Sequence, residues 1–277
     1  MLTGISKKGL AYRVIGEEHD PSIVLIHGAG LSMSDWPPSL IEKIVALGYR
    51  VIVFDHRGIG DSYTDEKHSF WLTWWQFLFA NTFKTKIQDG RYTTFDIAEE
   101  VGTLLDELRI GDTHIIGFSM GGIVSQIIAS SKQHRVLSLT LIATTNKEKT
   151  LPTLKTSTLV KIALYHAYSS AKDYVSEKIL GLSDARRKRY GMYNHLFATV
   201  ATDDIAMRGK EITAPTLVIH GKRDAFFQLA HGRSVAANIA QGKLVIIEEM
   251  SHSLRKGGSA QIESLVVQFL ATVKNGN

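Results

Sequence analysis

Six short apolar runs constrain this chain more than any other feature: Ile23 to Ile26, Val51 to Phe54, His114 to Gly117, Leu137 to Ala143, Pro215 to His220 and Leu244 to Ile247. Each has the length of a strand, and segments of helical periodicity lie between them. Pro37-Pro38 opens one such segment, Ile41, Ile44, Val45 and Leu47 form its apolar stripe, and Gly48 stops it. Thr93 and Asp96 resemble a capping box ahead of Ile97, Val101, Leu104, Leu105 and Leu108, with Gly111 expected at the stop. Phe226 to Ile239 and Gln261 to Val273 are further helices, and Leu10 to Ile15 is an additional strand. Strands alternating with helices predict an α/β fold, a mostly parallel twisted sheet with helices on both faces.

One of these βα junctions carries chemistry. Gly117-Phe118-Ser119-Met120-Gly121-Gly122 follows a strand and precedes the amphipathic run Ile123 to Ser131, the context in which G-x-S-x-G becomes a nucleophile elbow. Ser119 would sit on a strained turn, with small neighbours that let other backbone approach. The alternative is an ordinary serine in a βα turn. A serine hydroxyl is a weak nucleophile and needs a base that a third group orients. After Ser119, one buried strand runs into a loop carrying Asp224, and a later one runs into a loop carrying His252. Parallel strands deliver such loops to one sheet edge, so Asp224 would fix the tautomer of His252, and His252 would take the Ser119 proton. Asp224 alone could be a turn residue, Glu248 and Glu249 are rival carboxylates, and 11 histidines give room for coincidence. Chain order and placement together favour the triad.

Such a reaction also needs donors for a developing oxyanion. The Met120 N–H, at the start of the elbow helix, is one candidate, and the Ala29 N–H, after the first buried strand, is the second. Gly28 and Gly30 leave room for that loop to turn inward. His27 reads as a brace for the loop, and Asp55, Arg57 and Asp61 as turn and ion-pair residues.

Composition sets outer bounds. A chain of 277 residues with 44% hydrophobic content can bury a large core, and the absence of cysteine excludes disulfides, thiol catalysis and cysteine-ligated metal. The first residues lack a signal-like apolar region, and no run has the roughly 18 apolar residues of a spanning helix. A cytoplasmic location is the expectation. Residues 147–210 interrupt the alternation and are too long for a plain loop. They are read as a helical lid inserted in a core formed by 1–146 and 211–277. Twelve Lys and Arg against six Asp and Glu make the lid basic, centred on Arg186-Arg187-Lys188-Arg189. A solvated helix face is the preferred reading of that cluster, and attraction of an anionic substrate or surface is the alternative. Phe70 to Ala80 is rich in tryptophan and could line an acyl or aromatic pocket, dip into a membrane interface, or pack under the lid. Trp71, Trp75, Tyr165 and Phe197 are the candidate pocket residues.

His27-Gly28-Ala29-Gly30, Asp55-His56-Arg57-Gly58, the Gly117–Gly122 elbow, Asp224 and His252 together resemble the α/β-hydrolase superfamily. The resemblance covers roughly 10–145 and 212–272 and leaves the lid unmatched. Asp35-Trp36-Pro37 and Tyr92-Thr93-Thr94-Phe95-Asp96 are similar to the aclacinomycin methylesterase-like branch. Ser251 departs from the glycine that often precedes the histidine. The resemblance implies an acyl-enzyme and no cofactor; a small-molecule ester is the expected substrate, with no nucleic-acid partner. Serine at the elbow argues against haloalkane dehalogenases and most epoxide hydrolases, which use aspartate there. Perhydrolases, carbon–carbon bond hydrolases, lactonases and thioesterases share the triad, and a non-catalytic ligand-binding signalling protein can share the fold.

Overall fold

The computed structural model describes residues 1–63, 92–131, 135–152, 184–255 and 257–275. Eight strands form one sheet: β1 Leu2–Ile5, β2 Ala11–Ile15, β3 Ser22–Ile26, β4 Arg50–Phe54, β5 Asp112–Phe118, β6 Arg135–Ile142, β7 Thr216–Gly221 and β8 Gly242–Ile247. Their order is β1-β2-β4-β3-β5-β6-β7-β8. β1 and β2 run antiparallel, as do β2 and β4, and every pairing from β4 through β3 to β8 is parallel. Six α-helices are described: α1 Pro38–Ala46, α2 Thr94–Glu107, α3 Met120–Ser130, α4 Asp184–Ala201, α5 Leu229–Asn238 and α6 Ser259–Asn275.

Burial on two faces explains the apolar runs of the inner strands, whereas Leu244 to Ile246 on the edge strand β8 are half-buried. Along β3, Val24 and Ile26 pack with Ile97, Val101, Ile123 and Val235 from α2, α3 and α5. Ile23 and Leu25 face the other way, against Leu40, Ile44, Ile262 and Val266 from α1 and α6. A period-2 strand covered on both sides has no wet face, so its sequence shows no polar alternation. Each buried Ile, Leu or Val contributes on the order of 1.5–3 kcal/mol.

The structure departs from the sequence reading at two elements and refines a third. β1 was not expected; Leu2 and Ile5 are exposed, and a four-residue edge strand held by one neighbour leaves no burial pattern to read. α2 ends before Gly111, with Leu108 as its C-cap and Arg109 at φ 55°. The Ile110 N–H donates to the Leu105 carbonyl at 2.9 Å and the Arg109 N–H to the Asp106 carbonyl at 3.0 Å, a Schellman closure with arginine where glycine is usual. α5 begins at Leu229 rather than Phe226, because the Asp224 carboxylate draws the Phe226 and Phe227 N–H groups into a turn. Of the segment read as a lid, the described residues include α4 and a 3-10 turn, Ala206–Glu211, between β6 and β7.

Candidate active site

The carboxyl ends of β3, β5, β7 and β8 point to one sheet edge, and four loops meet there. Ser119, between β5 and α3, stands at φ 55° and ψ −120°, outside the regions open to unstrained L-residues. Such a conformation costs on the order of 1–3 kcal/mol and persists only where surrounding bonds enforce it. Here they do. The Ser119 N–H donates to the Ile142 carbonyl at 2.9 Å, and the Ser119 carbonyl accepts from Gly122 N–H at 2.9 Å and from the Thr144 hydroxyl at 2.7 Å. Glycine at 121 is required by proximity, since a Cβ there would collide with the Ile26 carbonyl oxygen.

The strained turn lifts the Ser119 Oγ toward His252. The Oγ lies 2.8 Å from His252 Nε2, and His252 Nδ1 lies 2.8 Å from Asp224 Oδ2. A carboxylate only accepts, so Nδ1 carries the ring proton and Nε2 is left to accept from the serine hydroxyl. Asp224 is buried, and its other oxygen, Oδ1, accepts the Phe226 and Phe227 N–H groups, each at 2.8 Å. The acid is thus locked by its own turn. Phe226 stacks on the His252 ring at 4.9 Å, while Phe118 and Phe227 pack at 5.3 and 5.5 Å. These rings escaped the sequence reading, although Phe226-Phe227 directly after Asp224-Ala225 was the signal available. Arg255 ties the His252 loop down by donating to the Ser34 and Asp35 carbonyls at 3.3 and 3.0 Å.

The rival carboxylates face elsewhere. Glu248 pairs with Lys222 at 2.6 Å and Glu249 with Arg223 at 2.7 Å, all at exposed positions.

Ala29 follows β3 in a loop that comes close to the elbow: a Cβ on Gly28 would lie 3.1 Å from both the Ser119 Cβ and the Phe118 ring. The neighbouring amides are taken. The Gly28 N–H donates to His27 Nδ1 at 3.0 Å, the Gly30 N–H to His195 Nδ1 at 3.2 Å, and the Leu31 N–H to the Gly28 carbonyl at 3.3 Å. Met120 is the first residue of α3, where a helix leaves N–H groups without intrahelical acceptors. Burial pushes the His27 pKa down to about 3, and the ring braces its own loop against Trp36 at 4.5 Å. Asp55 accepts from Met33 N–H at 2.7 Å and Asp61 N–H at 3.0 Å, and Arg57 forms an ion pair with the buried Glu100. These are structural contacts that support the loops after β3 and β4.

Of the candidate pocket residues, Phe197 is buried on α4. Trp71, Trp75 and Tyr165, with the rest of Phe70 to Ala80, lie outside the described residues, as do the side chains of Arg186 to Arg189. Among the described residues no group of three or more His, Asp or Glu could hold a metal ion, and no helix is long and apolar enough to cross a membrane.

A mostly parallel sheet whose strand ends deliver a serine, a histidine and a carboxylate to one edge defines the α/β-hydrolase architecture. The family described as alpha/beta hydrolase fold matches residues 21–179, and this chain belongs to it. A 2-hydroxy-6-oxononadienedioate/2-hydroxy-6-oxononatrienedioate hydrolase of Paraburkholderia xenovorans strain LB400 is 25% identical, over 90% of this chain and 86% of its own. Rhodomycin D methylesterase DauP of Streptomyces sp. strain C5 is 28% identical over 46% of this chain, and the match spans 36% of that relative's length. The enol-lactonase from Burkholderia xenovorans LB400 superposes with a TM-score of 0.70 at 24% identity, covering 95% of this chain and 96% of its own. That likeness concerns the fold.

Proposed function

We propose that this protein is a serine hydrolase that cleaves a carboxylic ester of a small or medium-sized molecule through an acyl-enzyme. The observation that carries the reading is the line of hydrogen bonds from Ser119 Oγ through His252 to Asp224, 2.8 Å at each step, at a strained elbow. His252 Nε2 takes the hydroxyl proton as Ser119 Oγ attacks the ester carbonyl. The tetrahedral oxyanion lies against the Ala29 and Met120 N–H groups, each contributing about 3 kcal/mol to the transition state. Collapse expels the alcohol, which leaves with the proton from His252. Water, deprotonated by His252, then attacks the acyl carbon and releases the acid and Ser119.

Turnover of short-chain p-nitrophenyl esters tests this. The wild type hydrolyses them, and Ser119→Ala lowers kcat by about 10⁴–10⁶. Full activity in Ser119→Ala would exclude the mechanism. Carbon–carbon bond hydrolysis with the same residues is the second reading, favoured by the match over 90% of the chain to the dienedioate hydrolase. It would be preferred if vinylogous diketo acids were turned over with higher kcat/KM than any ester of a broad panel.

A further inference from the structure

His195 lies far from Ser119 in sequence and is fully buried on α4, in the segment between β6 and β7. Both of its ring nitrogens are committed to backbone. The Gly30 N–H can only donate, so Nδ1 accepts it at 3.2 Å; the Arg57 carbonyl can only accept, so Nε2–H donates to it at 2.9 Å. The ring therefore joins the loop after β3 to the loop after β4 in a single defined tautomer. Burial pushes its pKa down to about 3, so the accepting lone pair on Nδ1 persists at neutral pH. α4 reinforces the clasp on both sides: Met192 packs where a Gly30 side chain would project, and Gly191 lies against the Gly58 carbonyl.

The consequence concerns one peptide plane. The Ala29 N–H belongs to the Gly28–Ala29 peptide, whose carbonyl accepts from Leu31 N–H at 3.3 Å, the longest bond in this loop. The peptide before it is held by Gly28 N–H on His27 Nδ1 and by His56 Nε2–H on the His27 carbonyl, both at 3.0 Å. The peptide after it, Ala29–Gly30, is held by His195. With both flanks held, the Gly28 and Ala29 Cα positions are fixed, and the plane between them can turn only about that axis, at the cost of the Leu31–Gly28 bond.

We propose that His195 is a positioning residue that orients the Ala29 N–H toward the reacting carbonyl by holding Gly30, and so links the segment between β6 and β7 to catalysis. This inference rests on the reading of Ala29 as an oxyanion donor in the proposed ester hydrolysis.

A pair of substitutions separates positioning from packing. In His195→Asn the amide oxygen stands near the place of Nδ1 and keeps the Gly30 bond. In His195→Gln the amide nitrogen stands near the place of Nε2, keeping the Arg57 bond and losing Gly30. Steady-state and burst kinetics on a p-nitrophenyl ester, with the affinity of a trifluoromethyl ketone that forms a tetrahedral adduct, supply the readout. The expected result is a fall in kcat of about 10- to 100-fold in His195→Gln, shared by acylation and deacylation, with KM within about twofold. Affinity for the ketone falls by a similar factor, and His195→Asn stays within about threefold of wild type on both measures. Wild-type kcat in His195→Gln, or equal losses in the two variants, would overturn the proposal. Ser119→Ala distinguishes the levels: an inactive Ser119→Ala beside an unimpaired His195→Gln removes this inference alone, whereas an active Ser119→Ala removes the mechanism beneath it.

Discussion

Asp224 presents one carboxylate oxygen to His252 and uses the other to hold its own turn through Phe226 and Phe227. That division makes Asp224→Asn informative. An asparagine would keep its oxygen on the two N–H groups and turn its amide NH₂ toward His252 Nδ1. The ring would then have to accept at Nδ1 and carry its proton on Nε2, facing Ser119, where it can no longer act as a base. We expect kcat to fall on the order of 10⁴-fold with KM and melting temperature little changed. Activity within tenfold of wild type would show that the carboxylate does not set the tautomer. Ser119 directly after β5, and Asp224 and His252 in the loops after β7 and β8, were legible because each follows the end of an apolar strand. The Phe226 stack on His252 and the bracing of the loop after β3 by His56 and His195 were not, although His27 was readable as a brace. Their roles depend on contacts such as Gly30 with His195, between residues 165 apart in the chain, and no local pattern encodes those.

Among the elements, α2 shows how a helix can be predicted correctly and its end misplaced. Thr93 and Asp96 cap its start, with Thr93 N–H on the Asp96 carboxylate at 2.7 Å. Its apolar stripe fills the face toward β3, so its existence was readable from period alone. Its stop was assigned to Gly111 because glycine is the usual residue at a left-handed position, yet that position belongs to the exposed Arg109, at φ 55°. Backbone closure to Leu105 and burial of Ile110 impose the conformation in spite of the side chain. Arg109→Gly should relieve up to about 1 kcal/mol of strain and raise the melting temperature by roughly 2–4 °C. A lower melting temperature would mean that the arginine side chain stabilises the helix end by more than its backbone costs. β1 was missed for the opposite reason. Its exposed leucine and isoleucine carry no burial signal, and only pairing with β2 makes the segment a strand.

For the molecule as a whole, burial of six histidines links stability to pH. Burial pushes His27 and His195 down to about 3, His56, His114 and His231 to about 4, and lowers His220 as well. Each is neutral in the fold and binds a proton below about 6.5 when unfolded, so stability is fully present above that pH. As pH falls from 6.5 toward 4 the unfolded state gains protons that the fold refuses, at about 1.4 kcal/mol per pH unit for each histidine. Asp55 and Glu100, raised by burial, act in the opposite direction over their own range. Thermal melts should show a marked drop in melting temperature between pH 7 and pH 5; an unchanged or higher value at pH 5 would refute the linkage. The sheet that buries these groups also brings four loops to one edge, and the central claim is that acyl transfer runs through Ser119 there. Intact-mass and peptide mapping after treatment with a fluorophosphonate probe tests it most directly. The expected result is one adduct per chain, on Ser119 in the wild type and absent from Ser119→Ala. An unlabelled wild type, or an adduct that persists at another residue in Ser119→Ala, would contradict it.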